Sequence, residues 1–377
     1  MKNALLGKES FVGLDKFTWL YGGAETPPHI TCIEAMNTYM QNRAKGPEGR
    51  ELHTLAEQSL RRNIAKLLNG REQDIALLSN ASECITAIVH ALELKEGDNV
   101  VINTLEYPSG VMPVLQLQNE GVEVRIVEHT DWQVSVDAMM EQVDSRTRLV
   151  MASHVSYLSG ARFDHKALYA QLKKTDALFL LDVTQSLGAV SVDMNEADFV
   201  VSSSYKWLLA VHGLGILGIN PARTQDLVPH SVGWRSVKSI FHDRRFQDYD
   251  FLDDARRFEL GYPSYPSIYA MNASTGLLLE TGIDRIEEHI AELGGRLIRE
   301  LTALGYSVMT PADPQQRAGN IAVAFERGGE LADSLREQGV LVWGGDGRFR
   351  ASIHGYNDSA DIDKLLALLP AHTAALR

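Results

Sequence analysis

The stretch that decides the fold covers residues 178–220 and reads LFLLDVTQSLGAVSVDMNEADFVVSSSYKWLLAVHGLGILGIN. It contains two short apolar runs, of which the first ends at Asp182 and the second is followed by the polar residues 202–206, ending in Lys206. Such runs are typical of buried strands in a parallel sheet. Because the carboxyl ends of parallel strands meet at one edge of the sheet, we expect the acid and the lysine to lie near each other.

Taken singly, Asp182 would be interpreted as a helix N-cap and Lys206 as a solvated lysine. Lys206, however, lies between apolar flanks and a glycine-bearing turn at residues 212–215. Desolvation lowers the pKa of a lysine, which is what imine chemistry with a carbonyl requires. A buried aspartate can keep a pyridine nitrogen protonated, and the three serines before the lysine offer hydroxyls to a phosphate.

The order Asp-x-x-Gln, Ser-x-x-Lys-Trp and Gly-x-Gly in this stretch resembles the pyridoxal-phosphate enzymes of the class V aminotransferase and cysteine desulfurase group. The resemblance implies pyridoxal phosphate as cofactor and Lys206 as the catalytic residue that forms the imine. It also implies Asp182 on the pyridine nitrogen, Gln185 near the ring hydroxyl and Ser203 near the phosphate. Tyr205 stands where the desulfurases usually carry a histidine.

Outside this stretch, helical and strand patterns alternate, which predicts an α/β fold with a mostly parallel sheet covered on both faces. The seven predicted strands match the large domain of the fold-type I pyridoxal-phosphate enzymes, and a smaller α+β C-terminal domain is expected after them. The 377 residues are divided into an N-terminal segment (1–30), a large cofactor-binding domain (31–280) and a small domain (281–377). The predicted strands are 74–79, 99–103, 123–127, 148–153, 178–182, 198–201 and 214–219, then 306–309, 319–325, 340–344 and 348–352.

The charge, the cysteine content and the apolar runs of the sequence limit the kinds of partner that the protein can have. The net charge is −13 and there is no basic run, so nucleic acid is not expected to bind. Two cysteines, Cys32 and Cys84, cannot form a disulfide framework and have no metal-ligand spacing. No apolar run approaches the ~18 residues needed to span a membrane, and the first residues do not form a signal peptide. We therefore expect a cytoplasmic protein without a membrane partner.

The turn after the first predicted strand, residues 79–83, suits a phosphate. Asn80 as N-cap with Glu83 three residues on forms a capping box, which alone explains both residues. The same helix start exposes N–H groups and the positive end of a helix dipole. In the resembling family the phosphate loop occupies this place, which implies the Ala81 backbone and the Ser82 hydroxyl as phosphate contacts.

Three further cofactor contacts follow from the resemblance. Tyr107, which could equally be a packed turn residue, takes the place of the aromatic side chain that stacks on the cofactor ring. Ser156 fits a cofactor-facing position after the strand 148–153. Tyr262, in Gly-Tyr-Pro, replaces the threonine of a Gly-Thr-Pro strip with which one subunit reaches the phosphate of the other. The resemblance therefore implies a homodimer with shared active sites.

The pattern Arg-x-Ser-x-x-x-Tyr-Asn at residues 350–357 is the second chemical landmark. Arg350 on an inner strand could simply pair with a core carboxylate. In the resembling family this arginine holds the α-carboxylate of an amino acid substrate, as its fork geometry allows. We therefore expect Arg350 to bind a small amino acid.

The loop before this arginine, residues 342–348, lacks the cysteine with which desulfurases form a persulfide. Three reactions remain: C–S lysis, transamination, and epimerisation like that of isopenicillin N. The pattern favours a C–S lyase or related cleavage of the β-side chain, after Lys206 has removed the Cα proton. A hypothesis from another class, a catalytically silent homologue, is disfavoured because Asp182, Lys206 and Arg350 are all kept.

Overall fold

The computed structural model describes residues 2–376. Its strands are β1 (Thr18–Leu20), β2 (Ile75–Leu78), β3 (Asn99–Asn103), β4 (Glu123–Val127), β5 (Thr147–Ser153), β6 (Leu178–Asp182), β7 (Phe199–Ser203), β8 (Gly215–Ile219), β9 (Asn320–Ala324), β10 (Val340–Gly345) and β11 (Arg348–Ser352). Its α-helices are α1 (Ile30–Arg43), α2 (Pro47–Leu67), α3 (Ala81–Ala91), α4 (Pro108–Gln116), α5 (Val136–Glu141), α6 (His165–Leu172), α7 (Pro221–Thr224), α8 (Tyr265–Thr281), α9 (Ile283–Ala303), α10 (Gly328–Glu337) and α11 (Ser359–Ala375).

The larger sheet has seven strands in the order β2-β8-β7-β6-β5-β3-β4. Strand β8 is antiparallel to both of its neighbours, and the remaining pairs are parallel. In the register, Asp182 lies between Ser153 of β5 and Val201 of β7. The predicted fold class, with its mostly parallel seven-stranded sheet, is therefore confirmed, and Asp182 lies at the edge of the sheet where the parallel strands end.

Apolar residues on both faces explain why the central strands are continuous apolar runs. Leu181 and Val200 point into one core, whereas their neighbours Leu180 and Val201 point into the core on the opposite face. Each of these side chains is at most 1% exposed. Full burial of such a side chain stabilises the fold by roughly 1.5–3 kcal/mol, so both faces of the sheet hold the site in place.

The second sheet has four strands in the order β1-β10-β11-β9. Strand β1 is parallel to β10, and the other two pairs are antiparallel. Helix α9 joins the cores of the two sheets. Its residues Ile286 and Ile290 pack in a core of the large sheet, whereas Leu293, Leu297 and Leu301 pack in the core of the second sheet.

The structure differs from the sequence prediction in three places. Strand β1 lies in the N-terminal segment 1–30, where no strand was predicted. The predicted strand at 306–309 is only an isolated bridge from Val308 to Val323. Helix α8 follows a long polar loop, at a place where no helix was predicted. The predicted domain boundaries stay a prediction. Within residues 2–376, none of the helices combines the length and the apolar composition that a membrane crossing needs.

Candidate active site

Lys206 follows β7 in a tight turn and lies almost entirely below the surface, with 7% of its area exposed. Burial is the main cause that lowers its pKa to about 8, the charge of Arg350 lowers it further, and Asp182 opposes both. An amine with this pKa is neutral about 300 times more often at pH 7 than one with the ordinary value of 10.5. Lys206 is therefore suited to act as a nucleophile or a base.

Asp182, at the last position of β6, is the buried acid of the site. Its Oδ1 accepts a hydrogen bond from the Thr184 N–H at 2.8 Å. Burial raises the pKa of Asp182, whereas the bonds from Thr184 and the charge of Lys206 act in the opposite direction. A cationic donor placed against this carboxylate would stabilise its charged form, as Lys206 already does.

The start of α3 forms one wall of the cavity that Lys206 and Asp182 line. The Asn80 side chain accepts a hydrogen bond from the Glu83 N–H at 2.9 Å, while the Glu83 carboxylate accepts one from the Ser79 N–H at 3.2 Å. The predicted cap is therefore present, with its return bond to Ser79 instead of Asn80. A Cβ on Gly215 would lie 2.3 Å from the Asn80 carbonyl carbon, so only glycine lets β8 pass this close to the loop.

Ser203 supplies a polar atom that no described residue satisfies. Its Oγ is buried and has no hydrogen-bond partner. Together with Ala81 and Ser82 it lines the cavity that also contains Lys206 and Asp182. An unpaired buried hydroxyl costs free energy. An anion at the start of α3 that accepts a hydrogen bond from this hydroxyl would remove that cost.

Two tyrosines face the amine of Lys206. Its Nζ lies 5.3 Å from the ring centroid of Tyr107 and 5.7 Å from that of Tyr205. Tyr107 meets Tyr157 edge to face, with the ring centroids 5.0 Å apart. Tyr205 is stacked on His212 at 3.8 Å. An aromatic wall therefore borders the cavity on the side of Tyr107, where the sequence predicts stacking on a ring.

Gln185 lines the cavity but is mostly engaged with other parts of the chain. Its Nε2 donates to the Gly23 carbonyl, and its Oε1 accepts from Trp207 Nε1 and Asn320 Nδ2, each at 2.9 Å. Asn320 Oδ1 in turn accepts from the Ser352 hydroxyl at 2.7 Å. This network joins the N-terminal segment and both sheets at the site.

Arg350 is 3% exposed, lies on β11 of the second sheet, and is close enough for its charge to lower the pKa of Lys206. Its Nη1 donates to the Tyr157 carbonyl at 2.6 Å. No carboxylate of residues 2–376 lies within ion-pair distance of it, so the alternative of a core ion pair is wrong. A Cβ on Gly23 would lie 2.3 Å from Asn320 Oδ1 and 3.0 Å from Arg350 Nη2, so glycine lets the N-terminal segment pass close to both side chains.

Two predicted contacts lie apart from these residues. The Ser156 hydroxyl accepts hydrogen bonds from the N–H groups of Leu158 and Ser159 and so stabilises its own loop. Ser156 lines a neighbouring cavity. Tyr262 is exposed and borders a second cavity on the outer side of Ser82. Neither side chain lines the cavity of Lys206.

Three residues of the site, Thr184, Glu106 and Asn320, were not predicted from the sequence. The Thr184 hydroxyl accepts the Ser203 N–H at 3.2 Å. Glu106 accepts hydrogen bonds from the side chain of Asn103 and from the N–H and hydroxyl of Ser153, and burial raises its pKa to about 7. Glu106 precedes Tyr107, and its place three residues after the end of β3 is the sequence signal that could have found it.

Comparison with known proteins identifies the class. The family described as "Aminotransferase class-V" matches residues 18–365. The probable cysteine desulfurase of Methanothermobacter thermautotrophicus is 28% identical over 377 residues, which cover 92% of this chain and 92% of that protein. The apo cysteine desulfurase of Thermococcus onnurineus NA1 has a TM-score of 0.88 at 21% identity, covering 97% of this chain and 96% of that one.

The cystine C–S lyase C-DES has the same fold. Its complex with the reaction product cysteine persulfide gives a TM-score of 0.87 at 22% identity, covering 95% of this chain and 98% of that one. A C-DES mutant with glycine covalently linked to its pyridoxal-phosphate cofactor gives 0.89 at 21% identity, covering 97% and 99%.

The fold is that of a pyridoxal-phosphate-dependent enzyme of fold type I. Pyridoxal phosphate is its cofactor, and the unpaired Ser203 hydroxyl at the start of α3, the buried acid Asp182 and the poorly basic Lys206 fit its phosphate, pyridine nitrogen and aldehyde. The match over residues 18–365 shows that the chain belongs to the class V aminotransferase family.

Proposed function

We propose that this enzyme cleaves a β-side chain from an L-α-amino acid, as a C–S lyase or a related lyase, without forming a persulfide on the protein. The observation that carries this proposal is the position of the two cysteines, which are both buried in the apolar interior. The name of the lyase among the similar folds agrees with it. The relatives named as desulfurases make the persulfide route the alternative to be tested.

Neither thiol is suited to attack a substrate. Cys32 is 2% exposed, its Sγ lies within hydrogen-bond distance of two backbone carbonyls, and burial raises its pKa to about 11. Cys84 is fully buried among apolar side chains, and burial raises its pKa still further. Because the thiolate is the nucleophile, both cysteines are expected to be inert at neutral pH.

The hairpin between β10 and β11 occupies the place where desulfurases carry their cysteine. Its turn residues Gly345, Asp346 and Gly347 all have positive φ angles, of 149°, 51° and 70°. A turn this tight leaves no free loop that could swing a side chain toward Lys206. The Cβ–S bond would then break with the sulfur group leaving as its own anion, without a protein thiol, and water would hydrolyse the released enamine to pyruvate and ammonia.

The residues of this chain would act in sequence. When bound, pyridoxal phosphate supplies an aldehyde that condenses with amines and a ring that withdraws electrons from the substrate Cα. Arg350 would hold the α-carboxylate, and Asp182 would keep the ring nitrogen protonated. Lys206, released by the incoming amino group and largely desolvated, would take the Cα proton and is the only lysine among the residues that line this cavity.

Transamination is the second candidate, because the family is described by that reaction and the same first steps lead to it. Lys206 would then return the proton to the cofactor carbon instead of leaving the substrate to lose its side chain. Epimerisation would return it to Cα. The three reactions therefore differ in their products, not in the residues that begin them.

The test uses the purified holoenzyme with cystine, cysteine conjugates, and pairs of an amino acid and a 2-oxo acid. We expect pyruvate and ammonia from the sulfur-containing substrates. The matched variants are Cys32→Ala and Cys84→Ala, alone and together, which should keep within about threefold of the wild-type rate, with Lys206→Ala as the inactive control. Loss of activity in either cysteine variant with retained fold, or amino exchange as the main reaction, would refute the proposal.

We also propose that the enzyme is a homodimer with shared active sites. In the polar loop between α7 and α8, the exposed fraction of Phe241 is 86% and that of Phe246 is 88%. Tyr262 borders an open cavity beside Ser82. Large exposed aromatic side chains of this kind are typical of a surface that another chain covers. Sedimentation equilibrium should give twice the mass of the chain, and Tyr262→Ala should weaken cofactor binding if the partner's loop reaches the phosphate.

A further inference from the structure

Two arginines, not one, lie next to the substrate end of the site. Arg348 and Arg350 are two residues apart on β11, so both side chains point to the same face of the second sheet. They are 2% and 3% exposed. Trp343, the cross-strand neighbour of Arg350, has its ring 4.6 Å from Arg348 Cζ and 5.5 Å from Arg350 Cζ.

Tyr157 connects both arginines to the cavity of Lys206. Its carbonyl accepts the hydrogen bond of Arg350, and its ring centroid lies 5.5 Å from Arg348 Cζ. The same tyrosine lines the cavity of Lys206 and Asp182. The guanidinium of Arg348 is therefore one side chain away from the position assigned to the substrate.

The positive charge at this end is not matched by buried negative charge. Within residues 2–376, the only carboxylate paired with Arg348 is Asp346, whose side chain is 72% exposed at the tip of the hairpin. The Nε atoms of both arginines are buried without a hydrogen-bond partner. Burial, and then the charge of Arg348, lowers the pKa of Arg350 to about 10.

Asp346 is exposed to solvent, which screens its charge, so its ion pair with Arg348 does not by itself account for the burial of the arginine. Two desolvated cations side by side are unfavourable unless anions approach them. The α-carboxylate of an amino acid is one anion, and Arg350 takes it in the proposed function. Arg348, which lies against the ring of Tyr157 at the cavity, then still has no buried carboxylate among residues 2–376.

We infer that Arg348 binds a second anionic group, so that the substrate is an amino acid whose side chain ends in a carboxylate or an oxidised sulfur acid. This inference rests on the proposed function, because it assigns the α-carboxylate to Arg350. The indole of Trp343, in contact with both guanidinium groups, would separate the two anions. Arg348 is thus a specificity residue, whereas Arg350 is required for every amino acid.

The experiment titrates the holoenzyme with L-aspartate and L-cysteine sulfinate, and with L-asparagine and L-alanine as neutral counterparts. The absorbance of the bound cofactor gives dissociation constants for all four amino acids, and turnover of L-cysteine sulfinate gives kcat and KM separately. Wild type should bind the acidic amino acids at least 10-fold more tightly. Arg348→Gln should weaken them by about 10- to 100-fold, mainly in KM, and leave L-alanine within about threefold.

Two further variants separate recognition from a structural effect. Arg348→Lys keeps the charge without the fork and should restore part of the preference for acids. Arg327→Gln, at an exposed arginine paired with Glu330 on α10, removes a positive charge elsewhere on the same domain and should change nothing. The wild-type comparison of L-aspartate with L-asparagine needs no variant, so it holds even if Arg348→Gln does not fold.

The outcomes distinguish this inference from the proposed function. Equal affinity of wild type for L-aspartate and L-asparagine, or equal weakening of acidic and neutral amino acids in Arg348→Gln, overturns the inference and leaves the lyase proposal intact. A cofactor spectrum that responds to no amino acid at all overturns both. A response confined to neutral amino acids overturns only the role of Arg348.

Discussion

Replacing Lys206 with methionine should stabilise the cofactor-free protein near neutral pH. Lys206 is 7% exposed, and burial together with the charge of Arg350 lowers its pKa from the ordinary 10.5 to about 8. The unfolded chain therefore binds this proton more tightly than the folded one. The resulting penalty is about 3 kcal/mol, is fully present below pH 8 and disappears above pH 10.5. Methionine has a similar length and carries no charge.

The assay is urea unfolding of the cofactor-free wild type and Lys206→Met at pH 7 and at pH 10.5. We expect the variant to be more stable by about 2–3 kcal/mol at the lower pH and the two proteins to converge at the higher one. Lys166, which is exposed and paired with Glu196, provides the control. Its methionine variant should change the unfolding free energy by less than about 0.5 kcal/mol. A Lys206→Met protein that is less stable than wild type at both pH values would refute the reasoning.

Three other changes follow from the geometry of the site. Ser203→Ala should weaken cofactor binding about 10-fold in an equilibrium titration yet stabilise the cofactor-free protein by about 1 kcal/mol, because it removes an unpaired buried hydroxyl. Gly23→Ala places a Cβ 3.0 Å from Arg350 Nη2 and 2.3 Å from Asn320 Oδ1, so steady-state kinetics should show a KM raised about 10-fold or more. Arg350→Gln should lower kcat/KM by about 10²–10³ with full cofactor content, and unchanged kinetics would contradict its role.

The fold could be predicted because its central strands are recognisable in the sequence as short apolar runs. The runs at 99–103 and 178–182 coincide with β3 and β6, since strands buried on both faces need a largely apolar sequence. Helix α8 was missed because its Tyr-Pro start resembles a turn, although proline is favoured in the first turn of a helix. Strand β1 has only three residues and pairs with β10, which is more than 300 residues away in the sequence. No local sequence pattern therefore predicts it.

The site could be predicted where a strand end fixes the place of a side chain, as for Asp182 and Lys206. Ser156 was expected to face the cofactor from the resemblance of its loop, but the conformation of a loop cannot be read from the sequence. There its hydroxyl accepts two backbone N–H groups instead of facing the cavity. Thr184 and Asn320 were missed because only the folded chain brings their polar groups to the site.

Gln185 shows why a motif residue can be recognised correctly and still be understood only in part. The base Lys206 follows a strand of the large sheet, whereas Arg350 lies on the second sheet, so their separation depends on how the two sheets are joined. Gln185 accepts hydrogen bonds from Trp207, next to Lys206, and from Asn320 on β9, which bonds in turn to Ser352 on the strand of Arg350. Three hydrogen bonds thus connect the neighbour of Lys206 to the strand that carries Arg350. The physical demand on position 185 is therefore a side chain that accepts twice and donates once, which an amide meets and a carboxylate does not.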